Sequence, residues 1–268
     1  MNKASLLKSK PDSFGGEWLS VSKVKTFKDC PAKFRYGYIE KLPRKTWDFH
    51  VYGKFAHAIL EYFHQKIIDG DTRSHNEIMG ESFKLATEEY KSTLLSSQKK
   101  EIYVMMCAYL NNLGKSDNKV IDVEENFYID IDGKVLLNGF IDRVQMDEDN
   151  ILHVADYKTS KSKSYLKNDF MQLKTYAFVK CLQDPSLEKV RTSYIMLRHK
   201  FEFITKEFTR KEVMKVEDEF LKYAEEIKAE KLWRPNASRL CSYCDYLDSC
   251  EEGKRTLNIS SKYGATDW

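Results

Sequence analysis

A mixed α/β fold, with helices flanking a mixed sheet, is what this sequence predicts, on three observations. Apolar residues recur at helical spacing through the first half, a strand-like alternation takes over near residue 119, and helical spacing returns from about residue 210. Val21, Val24 and Phe27 mark a short first helix, and Pro31 suits the first position of the next, directly after Cys30. Phe55, Ile59, Leu60, Phe63 and Ile67 carry a longer helix over 53–69, and similar patterns cover 77–95 and 98–113, the last with Ile102, Met105 and Tyr109 on one face. Val123, Glu125, Phe127, Ile129 and Ile131 then alternate with their neighbours, and Asp132-Gly133 signals a hairpin. Strands over 135–144 and 151–158 follow, joined by the polar run 147–150, then a helix over 167–182 and strands over 190–197 and 201–208. The middle of the chain therefore reads α-β-β-β-α-β. A long amphipathic helix over 210–230 turns Val213, Val216, Phe220, Ala224 and Ile227 inward, a cysteine-rich segment comes next, and the chain from Gly253 reads as a loose tail.

These elements are expected to form one domain over 1–268: a helical part at 18–118, a core at 119–209, a helix and cysteine segment at 210–252, and a tail at 253–268. A chain of 268 residues can bury a substantial core without disulfides, and its 42% hydrophobic and 32% charged residues suit an ordinary globular protein. No apolar run is long enough to span a bilayer, and Met1–Gly16 lacks the apolar centre of a signal peptide, so no membrane partner and a cytoplasmic location are expected. The net charge of +3 permits nucleic-acid binding without announcing it.

Asp142 lies in Gly139-Phe140-Ile141-Asp142-Arg143, and Asp156 and Lys158 lie in Val154-Ala155-Asp156-Tyr157-Lys158 on the next strand. Residues two apart on a strand share a side, so Asp156 and Lys158 project together, with Asp142 offered from the neighbouring strand. Two carboxylates on adjacent strands make a hard oxygen site for Mg²⁺ or Mn²⁺, beside a lysine able to orient water or stabilise a charged phosphate. An Asp-x-Lys tripeptide alone is commonly a solvated ion pair. Here both acids follow apolar strand residues, where unpaired charge is costly. His57 is one helical turn before Glu61 and adds an imidazole suited to Mn²⁺. Gln172 and Tyr176, also one turn apart, are positioned to contact a phosphate or the lysine, or to line the sheet. The other histidines read as structural or exposed.

Of the six cysteines, Cys107 and Cys181 sit alone in helical patterns as small hydrophobes. Cys241, Cys244 and Cys250 cluster, and Cys30 is the natural fourth thiol from the opposite end of the chain. Four cysteines accept Zn²⁺ or an iron–sulfur cluster, and spacing alone does not separate the two.

In chain order, SVSKVKTFKDCPAKFRYGY (20–38), GKFAHAILE (53–61), GFIDR (139–143), DYKT (156–159), QLKTY (172–176) and the final cysteines resemble the RecB-type branch of the PD-(D/E)XK nuclease superfamily. The resemblance implies a restriction-endonuclease-like core and a Mg²⁺- or Mn²⁺-dependent DNA nuclease, an exonuclease on single strands or ends. It implies that His57, Asp142, Asp156 and the carbonyl of Tyr157 hold the metal, that Lys158 is catalytic, and that Gln172 and Tyr176 support the site. It favours a [4Fe–4S] cluster on Cys30, Cys241, Cys244 and Cys250 over zinc. DNA is the implied partner, in recombination or repair, with an oligomer or a helicase, recombination or CRISPR partner beside it. The alternative is a DNA-end-binding or partner-dependent component of a larger processing complex.

Overall fold

The computed structural model describes residues 3–90, 94–113, 119–166 and 168–262. Among them the order is β1 (Ala4–Leu7), β2 (Glu17–Leu19), α1 (Val21–Asp29), α2 (Pro31–Phe34), α3 (Asp48–Ile68), α4 (His75–Glu89), α5 (Ser96–Leu113), β3 (Lys119–Ile131), β4 (Val135–Met146), β5 (Leu152–Lys158), α6 (Met171–Gln183), β6 (Lys189–Met196), β7 (Glu202–Thr209), α7 (Arg210–Val213), α8 (Val216–Ala229) and α9 (Glu251–Lys262). The expected helix–three strands–helix–strand core is present as α3 to α5, β3 to β5, α6 and β6. It forms a restriction-endonuclease-like mixed fold.

The strands make one sheet in the order β1-β3-β4-β5-β6-β7, with β2 added against β4. The β3–β4 hairpin turns at Asp132 and Gly133, both at positive φ (58° and 64°), as a tight hairpin turn demands. β5 and β6 run parallel across the α6 crossover, and β2 runs parallel to β4. Period-two alternation sends successive residues of β5 into two different cores. Val154 packs with α1, α6 and α8, while Ala155 and Tyr157 pack with α3, α4 and α5 on the other face. The sheet is thus the middle layer of three.

One topological detail opens the sheet where chemistry is expected. On the edge of β4 away from β3, β2 covers Val135–Leu137 and β5 covers Arg143–Met146, leaving the stretch between them unpaired. The β4–β5 ladder ends at Arg143 opposite Ala155, so the next cross-strand positions are Asp142 and Asp156. Both acids sit at the fork where the two strands part.

Several expectations need correction. β1 and β2 were not foreseen; both are short, and β2 has only three residues to show an alternation. The helix expected over 53–69 starts earlier, at Asp48, and the one expected over 77–95 ends at Glu89. Lys167 lies outside the described residues, and α6 starts at Met171. The long helix expected over 210–230 starts where expected, capped by a box from Thr209 and Glu212, but breaks between Val213 and Val216 into α7 and α8. The chain from Gly253 is not a loose tail through 262. It belongs to α9, whose first turn is fixed by the Gly253 N–H donating to Cys250 Sγ (3.4 Å) and the Lys254 N–H donating to the Cys250 carbonyl (3.1 Å). Residues 263–268 lie outside the described residues.

Candidate active site

At the fork, Asp142 is 8% exposed and Asp156 2% exposed. Past the end of the ladder, the Tyr157 N–H has no strand carbonyl of β4 to meet, and it donates to Asp142 Oδ2 at 2.8 Å. α3 brings His57 Nδ1 to 3.3 Å from the same oxygen. The neighbouring Arg143 is also buried and ties the strand to the helical layer. Its Nη1 donates to Tyr109 Oη at 2.7 Å, and that hydroxyl lies 2.5 Å from His64 Nε2. Burial, with Arg143 next to it, holds the His64 imidazole well below its usual range, so it stays neutral.

Asp156 faces the other side of the fork, toward α6. Lys158 Nζ lies 2.6 Å from Asp156 Oδ2 and donates to Gln172 Oε1 at 3.0 Å. Gln172 Nε2 donates to Tyr176 Oη at 2.8 Å, and Tyr176 Oη donates to Asp156 Oδ1 at 3.5 Å. Asp156, Lys158, Gln172 and Tyr176 therefore close a ring of polar contacts. Burial and the Asp156 charge push the Tyr176 phenol well above its ordinary range, which keeps its proton available as a donor. Of the readings open for the two, Gln172 contacts the lysine, while Tyr176 lines the sheet in the buried core and reaches Asp156.

A residue that the sequence did not single out completes the constellation. Glu124, on β3 opposite Asp142 in register, stands with His57 and Asp142 in a group whose potential ligand atoms all lie within 4.8 Å of one another. Its φ of 48° is left-handed, an uncommon and strained conformation for a non-glycine residue inside a strand. The alternating set Val123, Glu125, Phe127, Ile129 and Ile131 passes over Glu124, and Glu125 within it is a largely buried carboxylate paired with Lys180 at 2.7 Å.

The acids repel one another in a partly dry site. Burial, then the Asp156 charge, pushes the Asp142 carboxyl up to about 6. Burial, then the charges of Asp142, Glu61 and Asp156, pushes Glu124 up to about 8. Carboxylates held this far above their ordinary range mark a place short of positive charge. One imidazole nitrogen and two carboxylate oxygens are donors suited to a divalent ion of the Mn²⁺ or Mg²⁺ kind. The residues present fit such an ion.

His57, Glu124, Asp142 and Lys158 line one open cleft, with Asp156 buried behind Lys158. The cleft runs from Phe49 and Lys54 on α3, past His57 and Glu61, to Lys158 and Lys161 after β5. Gly53 suits this close approach: a Cβ there would meet Thr159 Oγ1 at 3.3 Å, so the Thr159 side chain would have to give by a few tenths of an ångström.

The four thiols expected to act together also line one common recess, with Cys30 from the start of α2 and Cys241, Cys244 and Cys250 from the C-terminal segment. Backbone N–H groups point at three of the sulfurs: Lys33 and Asn236 at Cys30 (both 3.4 Å), Ser238 at Cys241 (3.3 Å) and Gly253 at Cys250 (3.4 Å). Such donors suit thiolates better than thiols. Cys181 is fully buried, as a small hydrophobe should be, and Cys107 is only half-buried.

Residues 18–251 match the family model of the PD-(D/E)XK nuclease superfamily. The chain belongs to that superfamily. Over 164 residues it is 24% identical to an ATP-dependent helicase/deoxyribonuclease subunit from Streptococcus uberis, a match covering 54% of this chain and 14% of that protein. A 42-residue stretch is 48% identical to the protein of the same name from Streptococcus pyogenes serotype M6, covering 16% of this chain and 4% of that protein. The match thus spans only a small part of these relatives' length. The crystal structure of SSO0001 is 16% identical, with 91% of this chain and 88% of that chain covered at a TM-score of 0.37, a likeness too loose to bear on the site. Among the described residues no helix is long and apolar enough to cross a membrane.

Proposed function

We propose that the chain is a Mg²⁺- or Mn²⁺-dependent deoxyribonuclease of the RecB type, one domain acting as an exonuclease on single strands or ends during DNA processing. The observation that carries this reading is the convergence of His57, Glu124 and Asp142 beside the Asp156–Lys158 pair in one cleft. His57, Asp142 and Glu124 would hold the divalent ion, with Asp156 and the Tyr157 carbonyl, the positions implied by the family pattern, at its margin. When bound, the ion polarises a phosphodiester and acidifies a water molecule.

The chain's own residues supply the rest. Lys158, fixed by Asp156 and Gln172, presents its ammonium beside the acids. There it orients the attacking water and offsets negative charge gathering on the phosphate. Gln172 and Tyr176 are positioning residues that stop Lys158 from swinging to solvent. Tyr157 keeps Asp142 aimed through its N–H.

On the same reading, Cys30, Cys241, Cys244 and Cys250 carry a [4Fe–4S] cluster, with zinc as the second possibility. Its role is structural, holding the two ends of the chain together. An ultraviolet–visible spectrum and metal analysis of protein purified without oxygen decide between the two.

The test of the catalytic reading is digestion of end-labelled single- and double-stranded DNA with and without Mn²⁺. Lys158→Ala is expected to lose cleavage by a factor on the order of 10²–10³ while keeping its fold. Undiminished digestion by that variant sinks the assignment. A second reading is a partner-dependent component of a larger complex, favoured by the curated relatives being named as subunits and being far longer than this chain. Under that reading the isolated chain digests DNA weakly until its partner is added.

A further inference from the structure

Two aromatic rings, Phe49 and Tyr243, line the cleft, a third, Trp47, packs against both, and the proposed hydrolysis does not use them. Trp47 and Phe49 come from the start of α3, and Tyr243 comes from the segment between Cys241 and Cys244. Trp47 and Phe49 stack with centroids 5.6 Å apart at 25°, and Tyr243 lies 6.2 Å from Trp47 and 6.3 Å from Phe49. Trp47 is anchored, its Nε1 donating to Asp245 Oδ1 at 2.6 Å. The other two are not hidden: Phe49 is 48% exposed and Tyr243 60% exposed. Large rings held rigidly in solvent, next to a polar cleft, are a surface that stabilises something placed on them.

We infer that Phe49 and Tyr243 form a stacking platform for unpaired bases, which selects single-stranded DNA at the entrance of the proposed nuclease cleft. The inference rests on the nuclease reading and names its substrate. Phe49, Gly53, His57 and Glu61 follow one another at four-residue spacing along α3, so a single helix face leads from the platform to the acids. Phe49 and His57 are eight residues apart, about 12 Å along the helix axis, a distance a short run of nucleotides covers. Lys54 and Lys161 line the same cleft and supply positive charge for the phosphates.

Duplex DNA fits this surface poorly. Its bases are already stacked on each other and present no free face except at an end. Its affinity rests on dense positive charge, whereas this chain carries a net charge of only +3. Unpaired bases, by contrast, stack on any exposed ring whatever their identity. The cysteine site acquires a second consequence. By fixing the segment around Cys241 and Cys244, it sets the position of Tyr243 edge-on beside Phe49, at 77° between the ring planes, so each ring offers its own face to a base.

The test measures binding by fluorescence anisotropy with the full chain, with Ca²⁺ in place of Mn²⁺ so that no turnover is needed. The probes are an oligo-dT of about 16 nucleotides, an abasic strand of the same length and a blunt hairpin with the same number of phosphates. Phe49→Ala and Tyr243→Ala are each expected to weaken oligo-dT binding about tenfold, with the hairpin changed by less than about twofold. Tyr243→Phe, which keeps the ring, retains wild-type affinity. Wild-type protein should bind the abasic strand at least about tenfold more weakly than oligo-dT, approaching a hundredfold if the two rings act additively, and the ring variants should lose nothing more on it. Phe49 lies on an exposed helix face, so its variant stays folded even if the Tyr243→Ala segment shifts. Equal loss on oligo-dT and hairpin, unchanged oligo-dT binding, or full wild-type affinity for the abasic strand would each overturn the platform. Failure of the nuclease reading appears separately, in the digestion assay with Lys158→Ala.

Discussion

The acid–lysine fork and the cysteine recess are built in opposite ways. The fork is framed by the sheet: Glu124, Asp142, Asp156 and Lys158 lie on three consecutive strands whose ladders fix their spacing, with only His57 arriving from a helix. The recess joins residues from near the two ends of the chain, on short turns with little sheet or core to hold them. Direct contacts also cross between these distant segments, such as Tyr36 Oη donating to the Ser249 carbonyl (3.1 Å) and Asn236 Nδ2 donating to the Asp29 carbonyl (3.0 Å). Backbone hydrogen bonds make the first region rigid before any ligand binds. The second depends on what its thiols hold. On the proposed reading, the chemistry sits on strands held by their outer neighbours β3 and β6, and the staple sits where distant segments of the chain meet.

Variants can break this comparison, starting from the largest effect. Lys158→Ala should remove metal-dependent cleavage while the protein still folds, with a lowered melting temperature because Asp156, 2% exposed, loses its ion-pair partner. A collapse of the fold would mean that the fork is structural. Cys30→Ala should do the reverse. It should lower stability on the order of 3 kcal/mol, a fall of about 6–12 °C in melting temperature, as for a lost chain-closing crosslink. Cleavage per folded molecule should persist under calorimetric control. A colourless, metal-free wild type with the same melting temperature as the variant would remove the staple from the account.

Glu124→Gln sharpens the ligand set. If its carboxylate helps to hold the ion, Mn²⁺ affinity measured by calorimetry should fall about tenfold or more, with the protein still folded. Unchanged affinity would return the site to His57, Asp142, Asp156 and the Tyr157 carbonyl. Tyr176→Phe is the smallest change. Losing a hydroxyl that accepts from Gln172 and donates to Asp156 should cost about 1 kcal/mol, roughly fivefold in kcat, with KM held. A wild-type kcat would show that Gln172 alone positions Lys158.

Much of the fork was legible in the sequence because strand geometry is local. Period-two alternation put Asp156 and Lys158 on one side, and consecutive strands joined by short turns put Asp142 next to them. Helical spacing likewise put Gln172 and Tyr176 in contact. The apolar lead-in to Asp142 was a less faithful guide, because Phe140 is 51% exposed on the partly unpaired stretch of β4.

The sequence by itself therefore determined the order of the central helices and strands, the placement of Asp142, Asp156 and Lys158 on neighbouring strands and the grouping of Cys241, Cys244 and Cys250, all of which follow from residue type and short-range period. Only the tertiary structure decided that Glu124 joins His57 and Asp142 while Asp156 turns to Lys158. A left-handed backbone at a glutamate leaves no mark in composition or periodicity. The same holds for the aromatic mouth, where Phe49 and Tyr243 meet from distant parts of the chain. Such contacts depend on how a helix and a C-terminal segment pack against one sheet, and that long-range packing is not encoded in any local pattern.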